Sequence, residues 1–423
     1  MSSPADDAAG ATGAADHAFV TYNILSEKLC DAGCFSRYPA EHVDQEYRWT
    51  RIEAKLRAAM ADEAVIMLQE NSLEWTSRIA VICAELGYLP LSRCSGGTFS
   101  GYMGVALLVP THKYDVIRVR MARVGDEINA AIPSRASPAA SADPDSTTSI
   151  VAGAIDAVGR AAHWLLPPLA SVPISWVWAS AKKSLLGIAP RAKSRFDVPR
   201  GDPWREARTR HNSVIYACLA AKGAPGSKPV GVAVYHMPCR FRGKARGVMT
   251  LHTWALARLL DRWCLEDGAV PVLGGDFNYT PADRQYGLLA TGRLLTDAEE
   301  AAAGAADAPK HVDDDPRGSD GGKHGPADPS DFDGRLPPTL RLTSAYKAAH
   351  GSEPAATNFN YADMVGEEPF MGTLDFVWVG DGGEVTGAPA LPGRSPDGGF
   401  LDGPFPSPTE PSDHIAVRVH VRT

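Results

Sequence analysis

Between Phe19 and Gly87 the apolar residues fall into a strand, a helix, a second strand and a second helix, an alternation that restricts the chain to a layered α/β fold. The run Phe19-Val-Thr-Tyr-Asn-Ile-Leu-Ser reads as a strand that breaks at Asn23 to Ser26. Trp49, Ile52, Leu56 and Met60 recur at three- and four-residue spacing and predict an amphipathic helix over 46–61. Ala64 to Leu68 is a buried strand, with Gln69-Glu70 where it emerges. Ser72 is placed to cap a second helix, Ile79, Ile82 and Leu86 to supply its apolar stripe, and Gly87 to stop it.

The same logic runs through the rest of the chain. Residues 101–109 and 114–119 read as paired strands joined by a Pro110-Thr111-His112 turn, and after about Gly125 the pattern is lost. Residues 133–148 are Ser/Ala/Pro/Asp-rich and read as a disordered linker. Residues 164–200 join Trp164, Trp176 and Trp178 to a basic run from Lys182 to Arg200. Pro167, Pro168 and Pro173 argue against a spanning helix, which leaves an insertion packed on its own domain, with a membrane-surface contact as the alternative. Residues 212–219 form a strand or helix, Pro229 to Tyr235 is an apolar strand ending at His236, and Val248, Leu251, Ala255, Leu259 and Trp263 mark a helix. Pro271-Val-Leu-Gly-Gly then delivers Asp276 and Asn278 at a strand tip; an Asp/Asn turn closing a strand would look the same locally. Residues 291–337 are too polar to bury anything and read as an acidic loop. Thr373 to Val379 is a strand carrying Asp375, and Pro411-Ser-Asp-His leads into a last strand where Ile415, Val417, Val419 and Val421 form the buried face.

Composition narrows the class without naming a substrate. The net charge of the 423 residues is −8, yet residues 297–333 hold eleven acids and three bases, so 39 acidic and 39 basic residues remain elsewhere. The body is near neutral, and the acidic balance says little about what it binds. Seven cysteines without close pairing argue against a disulfide framework or zinc module, and residues 1–18 have neither the basic start nor the apolar core of a signal peptide. A cytoplasmic protein with a disordered tail over 1–18 is expected. No helix-turn-helix, zinc finger or RNA-recognition signature is visible, and no protein partner is deducible.

Asn23, Glu70, His236, Asp276, Asn278, Asp375, Asp413 and His414 each lie just after or within an apolar run. One such residue is usually a capped loop; eight repeating the pattern are hard to explain so. Carboxylates without cysteine partners suit a hard cation, Mg²⁺ or Mn²⁺, and a carboxylate-held metal beside amides and histidines is phosphoryl chemistry. With Thr21-Tyr-Asn-Ile-Leu-Ser, Leu68-Gln-Glu, Tyr235-His-Met-Pro, Gly274-Gly-Asp-Phe-Asn, Thr373-Leu-Asp-Phe-Val and Pro411-Ser-Asp-His in this order, the chain resembles the endonuclease/exonuclease/phosphatase superfamily, with its DNase I-like fold. Leu342-Thr-Ser-Ala-Tyr, Gly351-Ser-Glu-Pro and Thr357-Asn are similar to its carbon catabolite repressor 4 type, which includes deadenylases, nocturnin, angel proteins and 2′-phosphodiesterase; Met237-Pro-Cys departs from the deadenylase pattern.

The resemblance implies a four-layer α/β sandwich, two packed mixed β-sheets flanked by helices, as a single domain over 19–422 with insertions at about 125–203 and 297–337. It implies that Glu70 is the principal metal ligand, helped by Asn23 and Asp413, that Asp276 deprotonates the attacking water, that Asn278 and His236 bind phosphate oxygens, and that Asp375 orients His414. The expected activity is that of a Mg²⁺-dependent phosphodiesterase, a 3′ exonuclease acting on RNA. Its rivals are a phosphatase or phosphodiesterase for a nucleotide or other small phosphorylated molecule, and a catalytically silent binding scaffold.

Overall fold

A computed structural model of the chain describes residues 14–30, 35–131, 203–239, 246–304, 336–337, 339–361, 369–393 and 403–423. The chain divides into one unit of Met1–Ala131 with Gly201–Thr423, and a second, Ile132–Arg200, which lies outside the described residues together with the linker and the aromatic-basic segment expected there. No helix among the described residues is long and apolar enough to cross a membrane.

Two six-stranded mixed sheets carry the described unit. The first has the order β13 (Glu384–Gly387), β14 (Val417–Arg422), β1 (Asp16–Asn23), β2 (Val65–Asn71), β4 (Gly104–Pro110) and β3 (Tyr88–Cys94). The second has the order β5 (Tyr114–Arg123), β6 (Ser213–Ala221), β7 (Val230–His236), β8 (Val270–Asp276), β12 (Asp375–Gly380) and β9 (Leu342–Ser344). A short ribbon pairs β10 (Asn358–Asn360) with β11 (Phe370–Gly372). Each sheet is antiparallel except at its centre, where β1 runs parallel to β2 and β7 parallel to β8. A parallel pair needs a crossover, and the Gln45–Ala61 and Arg246–Asp267 helices supply the two.

The inner faces of both sheets meet in one core: Phe19, Val65, Met67 and Leu107 from the first, with Ile215, Val232, Val272 and Val377 from the second. The outer face of the first sheet packs Ile66, Leu68 and Ala106 against Ile52, Leu56, Trp75 and Ile79 of two helices. Strands buried on both faces read as unbroken apolar runs, and this produces the expected four-layer sandwich. Gly275 is required where β8 lies against β7, because a Cβ there would stand 2.1 Å from the Tyr235 carbonyl oxygen.

Local signals hold up well. Ser72 accepts a hydrogen bond from Trp75 N–H and caps the Leu73–Leu86 helix, and Gly87 ends it in the left-handed region at φ 71°. Four expectations change. The chain from Gly104 to Arg123 is no hairpin: β4 pairs with β2 and β3, while β5 crosses to the other sheet and pairs with β6. The strand β3 had no reading in the sequence. Leu86 is exposed, and the buried stripe of its helix consists of Trp75, Ile79, Ile82 and Cys83. Order also extends further than expected, because β1 starts at Asp16 within the presumed tail, Val124–Ala131 is a helix with Glu127 bonded to Arg262, and Asp297–Gly304 is a helix tied down by Arg284 and Glu300. The remainder of the acidic segment, 305–335, lies outside the described residues. The six described cysteines are free thiols.

Two buried histidines give the fold a pH dependence. His252 takes Tyr235 Oη at 2.7 Å and Ala207 O at 2.9 Å, while His17 lies between Tyr114 Oη at 2.9 Å and Thr423 Oγ1 at 3.0 Å. Burial pushes both imidazoles down to about 4. The unfolded chain therefore binds these protons first, so stability is intact above about pH 6.5 and falls as pH drops from there toward 4. At pH 5 each histidine is expected to cost about 2 kcal/mol. Urea titrations of wild type and His252→Gln between pH 7 and 5 check this, with the variant losing about half of the shift assigned to the pair; an unchanged pH slope refutes it.

Candidate active site

Strand direction brings the polar tips together. The parallel pair β1 and β2 ends with Asn23 opposite Gln69, which puts Glu70 one step beyond. In the second sheet His236 and Asp276 end β7 and β8 opposite each other, and the antiparallel β12 starts with Asp375 opposite Asp276. β14 runs antiparallel to β1, with Val417 opposite Thr21, so Asp413 and His414 just before it arrive at the same rim.

Asn23 is fully buried and joins the sheets. Its Nδ2 donates to Glu70 Oε1 at 3.2 Å in its own sheet and to Asp276 Oδ2 at 3.0 Å in the other, while its Oδ1 accepts from Leu25 N–H at 3.0 Å. The amide thus holds the two acids, and its oxygen accepts from main chain. Glu70 Oε2 accepts from Ser26 N–H at 3.1 Å. Its backbone has φ 56° and is skipped in the ladder between Gln69 and Asn71, so a β-bulge turns the carboxylate into the rim. Burial raises the Glu70 pKa; nearby His236 opposes this and Asp413 adds to it.

His414 stands among three acids. Its Nδ1 donates to Asp375 Oδ2 at 2.7 Å, and its Nε2 lies 3.6 Å from Asp276 Oδ2 and 4.0 Å from Asp413 Oδ1. Burial opposes its protonation, but Asp375, Asp276 and Asp413 outweigh that and hold its pKa well above the ordinary value. Asp375 is raised by burial to about 6, with the His414 charge as the main restraint, so the pair is ionised at neutral pH. His236 Nε2 lies 3.5 Å from Asp276 Oδ2. Asn278, at φ 51°, donates its N–H to Asp276 Oδ1 at 2.9 Å and its Nδ2 to Met237 O at 2.9 Å, which ties the ends of β7 and β8 together. All eight residues picked out in the sequence therefore belong to one chain of contacts.

Asp276, Asp375 and His414 offer ligand atoms within 4.8 Å of one another. A cation there would have to displace a proton from His414, whose protonation Asp375, Asp276 and Asp413 favour. The oxygen-rich side fits better: Asp413 Oδ1 is buried and finds no hydrogen-bond partner among the described residues, and Glu70 carries a pKa raised in part by Asp413. A crowded pair of hard carboxylates short of positive charge is what Mg²⁺ or Mn²⁺ takes.

Five supporting residues had no role in the sequence reading. Thr357 Oγ1 donates to Asp375 Oδ2 at 2.7 Å and accepts from Asp375 N–H. Asn358 and Asn360 both donate to Asp413 Oδ2, at 3.3 and 3.1 Å, and their period-two spacing on β10 was the available signal. Ser412 Oγ donates to Asn23 O at 2.6 Å and accepts from His414 N–H. Arg48, fully buried, gives Nε to Pro411 O at 2.7 Å and one terminal nitrogen to Ile24 O and Leu25 O at 2.9 and 2.5 Å. It lies four residues before Ile52, on the buried face of its helix, which was its signal.

Arg48 clasps the loop after β1 to the loop before β14. Lys in its place keeps the charge but not the span, leaving main-chain carbonyls buried without donors, so Arg48→Lys is expected to cost about 2–4 kcal/mol. Hydrogen exchange should show protection lost at the N–H groups of Leu25, Ser26 and His414 before the interior of β1. Uniform loss across the sheet would mean that the guanidinium supports the fold in general.

No curated protein matches this sequence significantly. Solved structures that resemble it include ANGEL2, a 2′,3′-cyclic phosphatase, at 14% identity over 96% of this chain and 95% of that one with a TM-score of 0.60. The human Nocturnin catalytic domain with a bound sulfate anion aligns at 14% identity over 96% and 94%, with a TM-score of 0.50. At these identities the likeness is one of fold. The sequence itself matches the Endonuclease/Exonuclease/phosphatase family over residues 20–414, a span that takes in all eight rim residues, and the chain belongs to that family.

Proposed function

We propose that this protein is a Mg²⁺- or Mn²⁺-dependent phosphodiesterase whose substrate is the 3′ end of single-stranded RNA. The observation that carries the reading is the Asn23 amide shared by Glu70 and Asp276, with His414 held between Asp276 and Asp375. It joins an acid suited to a cation, an acid free to take a proton and a charged imidazole within one rim.

Glu70 and Asp413 would hold the cation, which when bound supplies positive charge to the phosphoryl oxygens. Asp276, fixed by Asn23 and by Asn278 N–H, takes the proton of the attacking water. His414 donates from Nε2 to the oxygen on which charge develops, while Asp375, itself held by Thr357 Oγ1, keeps its other nitrogen occupied and its ring in place. His236 adds a second imidazole against the phosphate. Asn278 acts through position, since its amide nitrogen is committed to Met237 O.

A nucleotide-sized substrate is the second reading, favoured by the likeness to ANGEL2, a 2′,3′-cyclic phosphatase. Purified protein with Mg²⁺, offered oligoadenylate ending in a 3′-hydroxyl and the same strand ending in a 2′,3′-cyclic phosphate, separates the two. Stepwise release of 5′-nucleotides supports the exonuclease. Ring opening or loss of the terminal phosphate with the strand left whole supports the second reading, and no turnover of either refutes both.

Glu70→Gln should lower turnover by 10²-fold or more and raise the Mg²⁺ concentration needed, while the melting temperature holds or rises because a buried charge beside Asp413 is gone. Turnover undiminished by excess chelator contradicts the cation. Asp375→Ala and His414→Ala should each cost nearly as much as the double variant, since an imidazole without its orienting acid contributes little. Additive losses would mean that they act separately.

A further inference from the structure

The loop that delivers Asp413 and His414 to the rim is gripped from behind by one stripe of the Gln45–Ala61 helix. Arg48, Arg51 and Lys55 follow one another at helical spacing, and each donates to one point of that loop: Pro411 O at 2.7 Å, Pro408 O at 2.9 Å and Glu410 Oε2 at 2.8 Å. Glu410 is the point that none of the roles above uses. It is 4% exposed, and its Oε1 accepts from Tyr22 Oη at 2.6 Å. Pro411 has no N–H to offer, so the carboxylate takes the backbone N–H of Ser412, two residues on. Burial raises the Glu410 pKa, and Lys55, Tyr22 and the Ser412 N–H oppose this. The Glu410 main chain is fixed as well: its N–H donates to Ser407 Oγ at 3.1 Å and its oxygen accepts from Ser407 N–H at 2.8 Å.

These contacts close a ring behind the tip of β1. Tyr22 is the residue before Asn23, while Ser412 donates its Oγ to Asn23 O at 2.6 Å and accepts from His414 N–H at 3.2 Å. Glu410 therefore joins the side chain next to the Asn23 clamp to the main chain next to Asp413. A buried ion pair contributes little to stability on balance, because the loss of water offsets the attraction. Its hydrogen bonds do have direction, and here they run to Tyr22 and Ser412, which set the path of the loop. That path decides where His414 Nε2 stands, 3.6 Å from Asp276 Oδ2. We propose that Glu410 is a positioning residue for the hydrolysis, acting through Ser412 and Tyr22 to set His414 against Asp276, an inference that rests on the phosphodiesterase reading above. Displacing a reacting group by about 1 Å costs on the order of 10²-fold in rate, which is the scale of the effect expected.

The test measures kcat and KM on oligoadenylate with Mg²⁺ for wild type, Glu410→Ala and Glu410→Gln, well below each melting temperature. Glu410→Ala should lower kcat roughly 10²-fold and leave KM within about threefold, because Glu410 touches no substrate. Glu410→Gln keeps a carbonyl oxygen for Tyr22 Oη and Ser412 N–H, so it should recover kcat to within about fivefold of wild type. A folded Glu410→Ala with kcat within about twofold of wild type overturns the inference and leaves the phosphodiesterase reading intact. So do equal losses in the two variants, which would trace the effect to charge alone. The proton resonance of His414 Nδ1–H, in its bond to Asp375, provides a readout independent of turnover. It should shift and exchange at least about 10-fold faster with solvent in Glu410→Ala, and stay near its wild-type position in Glu410→Gln. An unmoved resonance in Glu410→Ala overturns the inference, even if wild type hydrolyses none of the phosphodiesters offered. Should Glu410→Ala fail to fold, Lys55→Met takes its place, since that side chain is 34% exposed and lies outside the rim. It leaves the Glu410 carboxylate without its cation and should move the same resonance and lower kcat about 3–10-fold; no change in either overturns the inference.

Discussion

The Asn23 amide is the contact on which the rim depends, because it donates at once to an acid of each sheet, Glu70 and Asp276. Two sandwiched sheets can slide or splay at their edges, and the apolar contacts between their inner faces have no directional preference. A fully buried amide with two carboxylate acceptors has such a preference. It fixes the distance between the tips of β1 and β8, and the rest of the site is referred to that distance. Arg48 and Ser412 hold the same tip from behind, through the main-chain oxygens of Asn23, Ile24, Leu25 and Pro411.

The rim is costly to assemble. Glu70 and Asn278 sit at positive φ, where a side chain normally meets steric resistance of about 1 kcal/mol or more. Glu70, Asp276, Asp375 and Asp413 crowd together around the buried imidazole of His414, which lies within 4.0 Å of three of them. Asp375 Oδ1 and Asp413 Oδ1 are buried and find no hydrogen-bond partner among the described residues. Strain, like-charge crowding and unmet acceptors in one place mark a region shaped for chemistry at the expense of stability. The rigid double-faced core beneath it can bear that expense, since Phe19, Met67, Leu107, Val232 and Val272 are wholly buried.

Much of this was legible beforehand, and what was legible was local. The Ser72 cap and Gly87 stop depend on a few neighbouring residues, and both stand where the sequence put them. The eight rim residues could be picked because each lies just after or within an apolar run. The partner of each strand could not be read the same way. β4 and β5 looked like a hairpin because only Thr111, His112 and Lys113 separate the strands, yet β5 leaves for the other sheet, where it pairs antiparallel with β6. β3 escaped notice because Pro90, Ser92 and Arg93 break its apolar pattern, and only pairing with β4 makes it a strand.

The sequence by itself determined the order and kind of the central elements, the layered α/β class and the residue types at the strand tips, because periodicity and turn chemistry act over a few residues. Tertiary structure decided which tips meet, that Asn23 serves as a clamp, that Thr357, Asn358, Asn360, Ser412 and Arg48 support the site, and that three acids surround His414. Those outcomes depend on hydrogen bonds between residues separated by tens to hundreds of positions and on the loss of water around them. Neither is written in any short stretch of chain.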